Sequence, residues 1–421
     1  MHFLHVVQLY YPVATGAGRY FAEVGERLAR EGHRVTVLAT DAYDLEYFWN
    51  PHKRRVELPE ETHNGVQIVR LPVRRIPGPP IVYPILRRLM VELSRLPGST
   101  PLLRRMAQIT PRLPDMRRFF AANAGERFDL MHTCNITLDF AILPALDFVR
   151  RRRIPFLCTP FVHLGPPGDR TILRYYSMRH QIDLLKHSDR VITMTGLEAD
   201  ELAARGVPRE RMRRVGVGVT PDEVLGGDGA RFRADHQVGG PLVLYIGALA
   251  RDKGAIHTVG AMQRLWAQGS DATLALIGAP LEHFTVFYAQ LPAEAKARIR
   301  LLPYAPDSVK RDALAAADVF AMPSRTDSFG NAYLEAWCYG VPVVGARAGG
   351  VPDVIADGQD GLLTPFGDVG AIAAAIERLL RDRELARHLG ASGRAKVLRE
   401  LTWDRIYEQV RAVYGEVTYK L

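Results

Sequence analysis

The chain has 421 residues, 47% apolar and 24% charged, the proportions of a globular protein and not of a disordered, collagenous or coiled-coil one; this length predicts two or three domains. The net charge of +9 is unevenly spread: residues 70–120 hold eleven arginines against only Glu92 and Asp115, so the rest of the chain is neutral. Cys134, Cys158 and Cys338 form no CxxC pair, so neither a disulfide framework nor a zinc site is indicated, and a reducing compartment fits. No stretch offers the ~20 apolar residues of a membrane span. The first residues lack the basic start and unbroken apolar run of a signal peptide. The expected location is cytoplasmic, peripheral at most on the inner face of a membrane.

In chain order, His2 to Leu9 reads as a strand, Pro12 to Gly18 as a turn-rich loop, and Tyr20 to Arg30 as a helix stopped by Gly32. Arg34–Ala39, Val66–Leu71, Leu130–Cys134, Pro155–Thr159 and Arg190–Thr193 are further short apolar strands, with helical patterns at Leu138–Arg152 and Ile172–His187. Inside the basic segment, Ile85, Leu86, Leu89, Met90, Leu93 and Leu96 fall at helical spacing beside Arg87, Arg88 and Arg95. Leu102, Leu103, Met106 and Ile109 repeat the pattern beside Arg104 and Arg105. Such a surface is either an ordinary core helix with a solvated face or a basic amphipathic face for anionic lipid or an anionic acceptor. Residues 216–240 are rich in glycine and read as a linker. A second series follows: Leu242–Ile246, Thr273–Ile277, Ile299–Leu302, Val319–Met322 and Val341–Val344, with a helical tail from Ile372. Strands apolar on both faces, alternating with helices, predict α/β architecture with doubly wound parallel sheets. The predicted domains are 1–215 and 241–400, joined by 216–240, with a closing helix at about 401–421 packing back on the first. Ligands bind at the C-terminal ends of such strands.

Four constellations follow strands. Pro323 to Ala336 runs from a strand end into a helix, with Asp327 and Glu335 eight residues apart. One carboxylate lies in the loop and the other two turns into the helix, and the amides after Phe329 form an anion site. The bland alternative is that Asp327 caps the helix and Glu335 is solvated. Leu244 to Gly254 is the second: Gly247 ends a strand, and Lys253 is one of seven lysines in the chain. The third is the loop Tyr11 to Arg19, whose Gly16, Ala17 and Gly18 permit close approach but lack dinucleotide-binding spacing. His163, after the strand ending at Thr159, is the fourth; no Asp/His cluster beside it supplies metal ligands. His132 is a strand-end residue of structural use on the rim of the ligand-binding edge.

The stretch at 323–336 resembles the E-x7-E signature of retaining glycosyltransferases of family four, whose fold is GT-B. Gly340-Val341-Pro342-Val343-Val344, Gly349 to Ile355 and Asp360-Gly361-Leu362-Leu363 match in order and spacing. The resemblance runs from Tyr11 to about Trp403 and is weakest at 40–125. It implies two doubly wound Rossmann-like domains facing across a cleft, donor mainly on the second and acceptor on the first. It implies donor binding by Gly16, Ala17, Gly18, Gly247, Arg251, Phe329, Gly330, Asn331, Ala332 and Glu335. Of these, Glu335 takes the ribose hydroxyls and the amides take sugar and diphosphate. Lys253 would neutralise the leaving diphosphate, Asp327 would face the donor sugar and His163 would contact its 6-position. The partners implied are a nucleotide-sugar donor and a glycan or lipid-linked acceptor; neither cofactor nor metal is expected, and nucleic acid fits poorly. Two departures stand out. Asp327 replaces the usual Glu, and Ala248 replaces an Arg on the diphosphate, so Lys253 acts alone or Arg251 or Arg325 reaches in. A catalytically weakened sugar-nucleotide-binding protein and a membrane-surface scaffold remain rival readings, and the motif speaks against an epimerase or an inverting transferase.

Overall fold

The computed structural model describes residues 1–13 and 15–418. They form two compact units: Met1–Val162, Thr171–Val215 and Tyr407 onward, and His163–Arg170 with Gly216–Ile406. The first unit contains strands β1 (His2–Val6), β2 (Arg34–Thr40), β3 (Glu60–His63), β4 (Val66–Leu71), β5 (Leu130–Cys134), β6 (Phe156–Thr159), β7 (Arg190–Thr193) and β8 (Met212–Arg214). They lie in the order β3-β4-β2-β1-β5-β6-β7-β8, all parallel except β3 against β4. The second holds β9 (Leu242–Ile246), β10 (Thr273–Ile277), β11 (Ile299–Leu302), β12 (Val319–Ala321), β13 (Val343–Ala346) and β14 (Gly361–Thr364). Their order is β11-β10-β9-β12-β13-β14. β1, β5, β9 and β10 are buried along their whole length, as expected of strands covered by helices on both faces. In each unit the chain winds outward one way from the centre and then the other. The direction reverses between β1 and β5 and between β9 and β12.

Several sequence boundaries shift. The first helix begins at Gly16, not Tyr20, because the Thr15 hydroxyl accepts the Gly18 N–H at 2.9 Å and caps it. The helix expected over Ile172–His187 is broken into a short turn Leu173–Tyr175 and a helix Arg179–Lys186. Met178 between them is extended, its N–H bound by the Gln181 side chain at 2.8 Å. Residues 216–240 are packed structure. Arg231 pairs with Asp312 at 2.6 Å, and a Cβ on Gly227 would lie 2.1 Å from the Arg311 carbonyl oxygen. Residues 163–170, inside the span 1–215, group with the second unit: Gly349 N–H donates to the Gly165 carbonyl at 3.2 Å, and the Arg325 guanidinium pairs with Asp169. The helix Trp403–Thr418 ends on the first unit, where Glu416 accepts from Arg190 and Arg213 at 2.7 Å each. There the Tyr414 hydroxyl meets His132 at 2.8 Å and His5 at 3.1 Å. His132 is fully buried, so it is a core residue and not a rim residue.

Candidate functional site

In the second unit, the loops after β9 and β12 leave the sheet side by side where its winding reverses, the place where open parallel sheets bind ligands. Buried Tyr245 shapes the first loop by donating its hydroxyl to the carbonyls of Ala248 (2.8 Å) and Lys253 (3.1 Å). Gly254 closes it at φ +86, and a Cβ there would lie 2.3 Å from the Pro323 carbonyl oxygen, so only glycine lets the loops approach. Across this contact Lys253 Nζ donates to Asp327 Oδ1 at 2.8 Å. Burial alone would raise the Asp327 carboxyl, but the Lys253 ammonium outweighs it and holds it ionised, below its ordinary range. Its second oxygen, Oδ2, is buried and meets no hydrogen-bond partner among the described residues, an acceptor left over for a ligand hydroxyl. His163 belongs to the same cluster. Burial first, and Lys253 second, bring its imidazole down to about 4, so at neutral pH it is uncharged and presents one donor and one acceptor nitrogen.

The helix Asn331–Cys338 starts from Gly330 in a left-handed conformation (φ +93), and no side chain caps it. Asp327 is therefore bound to Lys253 and is not the cap. The uncapped first turn, beginning with Asn331 and Ala332, points its N–H dipoles out of the helix start. Phe329, just before it, is buried. Glu335 is not a solvated residue either: its side chain is 17% exposed and accepts from Lys310 Nζ at 3.0 Å. Lys310 lies in the helix Asp307–Ala316, far from any motif, and sequence reasoning missed it; the fold alone brings it to Glu335. Gly247 donates its N–H to Ile277 at the end of β9. Arg251 and Arg325 do not join the Lys253–Asp327 pair. Arg251 donates its backbone N–H to His283 at 2.8 Å, Arg325 pairs with Asp169, and both line a separate cleft.

Gly16, Ala17 and Gly18 lie in the first unit, in the first turn of the helix Gly16–Arg30. At Gly18 a Cβ would stand 2.9 Å from both the Leu9 carbonyl and the Thr15 hydroxyl. At Gly16 nothing lies within 4 Å, so that end of the turn is open. A second residue missed in the sequence is Glu198, buried at 1% exposure. It accepts the N–H groups of Val162 (2.8 Å) and Met194 (2.6 Å) and so ties the ends of β6 and β7 together. Burial pushes its carboxyl up to about 7 despite those bonds. Among the described residues no group of three His, Cys, Asp or Glu is arranged to hold a metal ion, and no helix is long and apolar enough to cross a membrane.

Two Rossmann-like sheets with this cluster of charges at the reversal point of the second define the class of GT-B glycosyltransferase folds. Residues 229–396 match the family described as glycosyl transferases group 1, and residues 15–218 match the glycosyl transferase 4-like domain. The chain belongs to glycosyltransferase family four. It is 33% identical over 190 residues to an alpha-maltose-1-phosphate synthase of Mycolicibacterium smegmatis (42% of this chain, 48% of that protein). It is 33% identical over 250 residues to a D-inositol 3-phosphate glycosyltransferase of Acidothermus cellulolyticus (56% and 55%). The chain thus spans about half the length of the curated relatives it matches. The fold is similar over the full length of both chains to a sucrose-phosphate synthase from Thermosynechococcus elongatus, with a TM-score of 0.73 and 21% identity.

Proposed function

We propose that the protein is a retaining glycosyltransferase that moves a sugar from a nucleotide-diphosphate donor to an anionic or lipid-linked acceptor, without a metal ion. The observation that carries this reading is the Lys253–Asp327 pair at 2.8 Å, with the unpartnered Asp327 Oδ2 and neutral His163 beside it. Asp327 Oδ2 accepts a sugar hydroxyl, and His163 hydrogen-bonds the sugar. Glu335, steadied by Lys310, accepts from the ribose hydroxyls. The diphosphate lies at Gly247 and at the open helix turn of Gly330, Asn331 and Ala332. The acceptor oxygen bonds to the anomeric carbon on the face from which the diphosphate departs. The leaving phosphate oxygen takes the acceptor proton. Negative charge grows on that oxygen, and Lys253 with the helix amides stabilises it as fixed charge. These cations and dipoles fill the role of a divalent ion, so EDTA leaves transfer unchanged; abolition by EDTA with rescue by magnesium would contradict this.

An anionic or lipid-linked acceptor is supported by the first unit's surface and by the relative named for inositol 3-phosphate. Ile81, just before the helix Val82–Leu93, and Ile85 and Leu89 along it are 63%, 58% and 47% exposed, an apolar stripe on the outside. Of the arginines in 70–120, Arg70, Arg75, Arg87 and Arg104 are committed inward, to Glu61, the Tyr47 carbonyl, buried Asp139 and Asp147. Exposed Arg74, Arg88, Arg105, Arg112 and Arg117 remain for an anionic surface. The overall test is a melting panel of UDP-, GDP- and ADP-sugars followed by the anomeric configuration of the product. A ligand at 100 times its dissociation constant stabilises by about 2.7 kcal/mol. No stabilisation by any nucleotide sugar, or inversion at the anomeric carbon, would overturn the proposal.

A further inference from the structure

Apart from the Lys253–Asp327 cluster, the second unit carries a cleft of about 690 Å³. It opens between the start of the helix Ala255–Ala267, the helix Glu282–Ala289 and the loop after β14. Its walls are of two kinds. Val286, Phe287 and Phe366 are apolar, with Val286 55% exposed and Phe366 meeting the His257 ring edge to face at 5.0 Å. Arg251, His257, His283, Gln290 and Arg325 are polar, and Arg325 is held by Asp169. Arg251 is exposed and makes no ion pair among the described residues. The Nε2 of His283 accepts the Arg251 N–H, which fixes the proton of the neutral ring on Nδ1 and makes that nitrogen a donor. Asp252 is the sole carboxylate in the lining.

A volume of this size fits a small organic ligand. An exposed guanidinium and an imidazole N–H select an anion, and a guanidinium fork suits a phosphate best. The two phenyl rings and Val286 gain from covering an alkyl or aryl body. A free nucleotide phosphate or a plain sugar would satisfy one wall and leave the other wet. The cleft also shares the loop Arg251–Lys253 with the reacting site: one end of that loop lines the cleft, and the other reaches Asp327.

We infer that this cleft holds a phosphate bearing an alkyl or aryl group, a ligand site of the second unit apart from the donor and acceptor of the transferase reading. Octyl phosphate is the probe, titrated into the full chain by calorimetry, with octanol and inorganic phosphate as partial ligands. Octyl phosphate is expected to bind, and each partial ligand at least tenfold more weakly. Val286→Asp and Arg251→Ala should each weaken binding at least tenfold with unchanged melting temperature, and Arg251→Lys should recover part of the loss. The His257 ring, lowered by burial and by Arg251, should titrate higher once the anion is bound, which proton NMR reads directly. Absence of octyl phosphate binding, or equal binding by Val286→Asp, overturns the cleft. Stabilisation by a nucleotide sugar without octyl phosphate binding would leave the transferase reading and remove the cleft, and octyl phosphate binding without stabilisation by any nucleotide sugar would do the reverse.

Discussion

The two units keep their polar groups in different places. In the second, opposite charges stand at the end of the sheet, partly exposed: Lys253 with Asp327, and Lys310 with Glu335. In the first, the histidines inside the sheet carry no charge, and the buried carboxyl of Asp139 keeps its charge because Arg87 and His180 hold it. His5, His132 and Tyr414 form a chain of hydrogen bonds in the core, and burial lowers His5 to about 3 and drives His132 well down. A charge is tolerated where water still reaches it, and there it can exchange its partner for a ligand. Deep burial without a charged partner forces a titratable group to neutralise and to serve packing. Substitutions in the two places should therefore fail in different ways.

The largest separation is expected at Lys253. Lys253→Ala should lower turnover by about 100- to 1,000-fold, the usual loss when a group that stabilises growing charge is removed. The stability loss should be about 1–3 kcal/mol, because only one charge-assisted hydrogen bond, partly open to water, disappears. Initial rates and urea unfolding on the same preparation check this. A loss of stability large enough to account for the rate would make the pair a structural one. Glu335→Gln is expected to weaken donor binding by about 1.5–3 kcal/mol, roughly tenfold or more. Lys310→Ala should do the same to a smaller degree, since it acts through Glu335. If calorimetry finds donor affinity unchanged in Glu335→Gln, Glu335 is not in the site.

Acid tests the comparison from the other side. A histidine that ionises near 6.5 when unfolded, but only at about 3 or 4 when folded, leaves stability intact above pH 6.5 and takes it away as pH falls. His2 (about 4), His5 (about 3) and His132 are all in the first unit, against His163 and His257 in the second. Each fully buried ring should cost on the order of 2 kcal/mol at pH 5. Glu198 runs the opposite way. Its carboxyl is raised to about 7, so its contribution is fully present below pH 4.5 and lost as pH rises through 7. Of these lowered rings the first unit holds three against two in the second, and Glu198, itself in the first unit, offsets about one of the three, so the net acid loss of the two units should be similar. Hydrogen exchange of β1 and β5 against β9 and β10 at pH 5 and pH 7.5 measures it. A much larger loss of protection in one sheet would show that these buried groups are not the ones that decide.

The second unit was the more legible in sequence, for a physical reason. Its site is made by backbone loops of fixed length after adjacent strands, so Gly254, Gly330, Lys253 and Asp327 keep a spacing that can be read along the chain. Lys310 and Asp169 reach the site region from other elements, and no local pattern marks them. In the first unit the strands were visible from their apolar runs, and His132 was read as structural, but its burial in the core was not visible. Its partners Thr159 and Tyr414 are 27 and 282 residues away, and a histidine in an apolar strand looks the same whether it faces a rim or a core. The basic segment was legible only in part: its eleven arginines could be counted, but not that Arg70, Arg75, Arg87 and Arg104 turn inward.

That segment gives the smallest expected change in stability and a selective test. Ile85 is 58% exposed on the helix Val82–Leu93, whose other face is held by Arg87 on buried Asp139. Ile85→Asp removes apolar area only from water-facing surface, so the melting temperature should move little, within about 0.5 kcal/mol. If the stripe of Ile81, Ile85 and Leu89 enters a lipid interface beside Arg88, the same change should abolish co-sedimentation with anionic vesicles: it removes a buried side chain worth about 1.5–3 kcal/mol and places a like charge against the lipid. Arg88→Gln should remove only about 1 kcal/mol, and its effect should vanish in high salt, where the Debye length shrinks to about 3 Å. The ratio of the two losses tells an apolar docking face from an electrostatic one. A larger loss for Arg88→Gln would restore the arginines as the principal contact. Vesicle binding unchanged in both variants would leave the stripe as ordinary exposed surface.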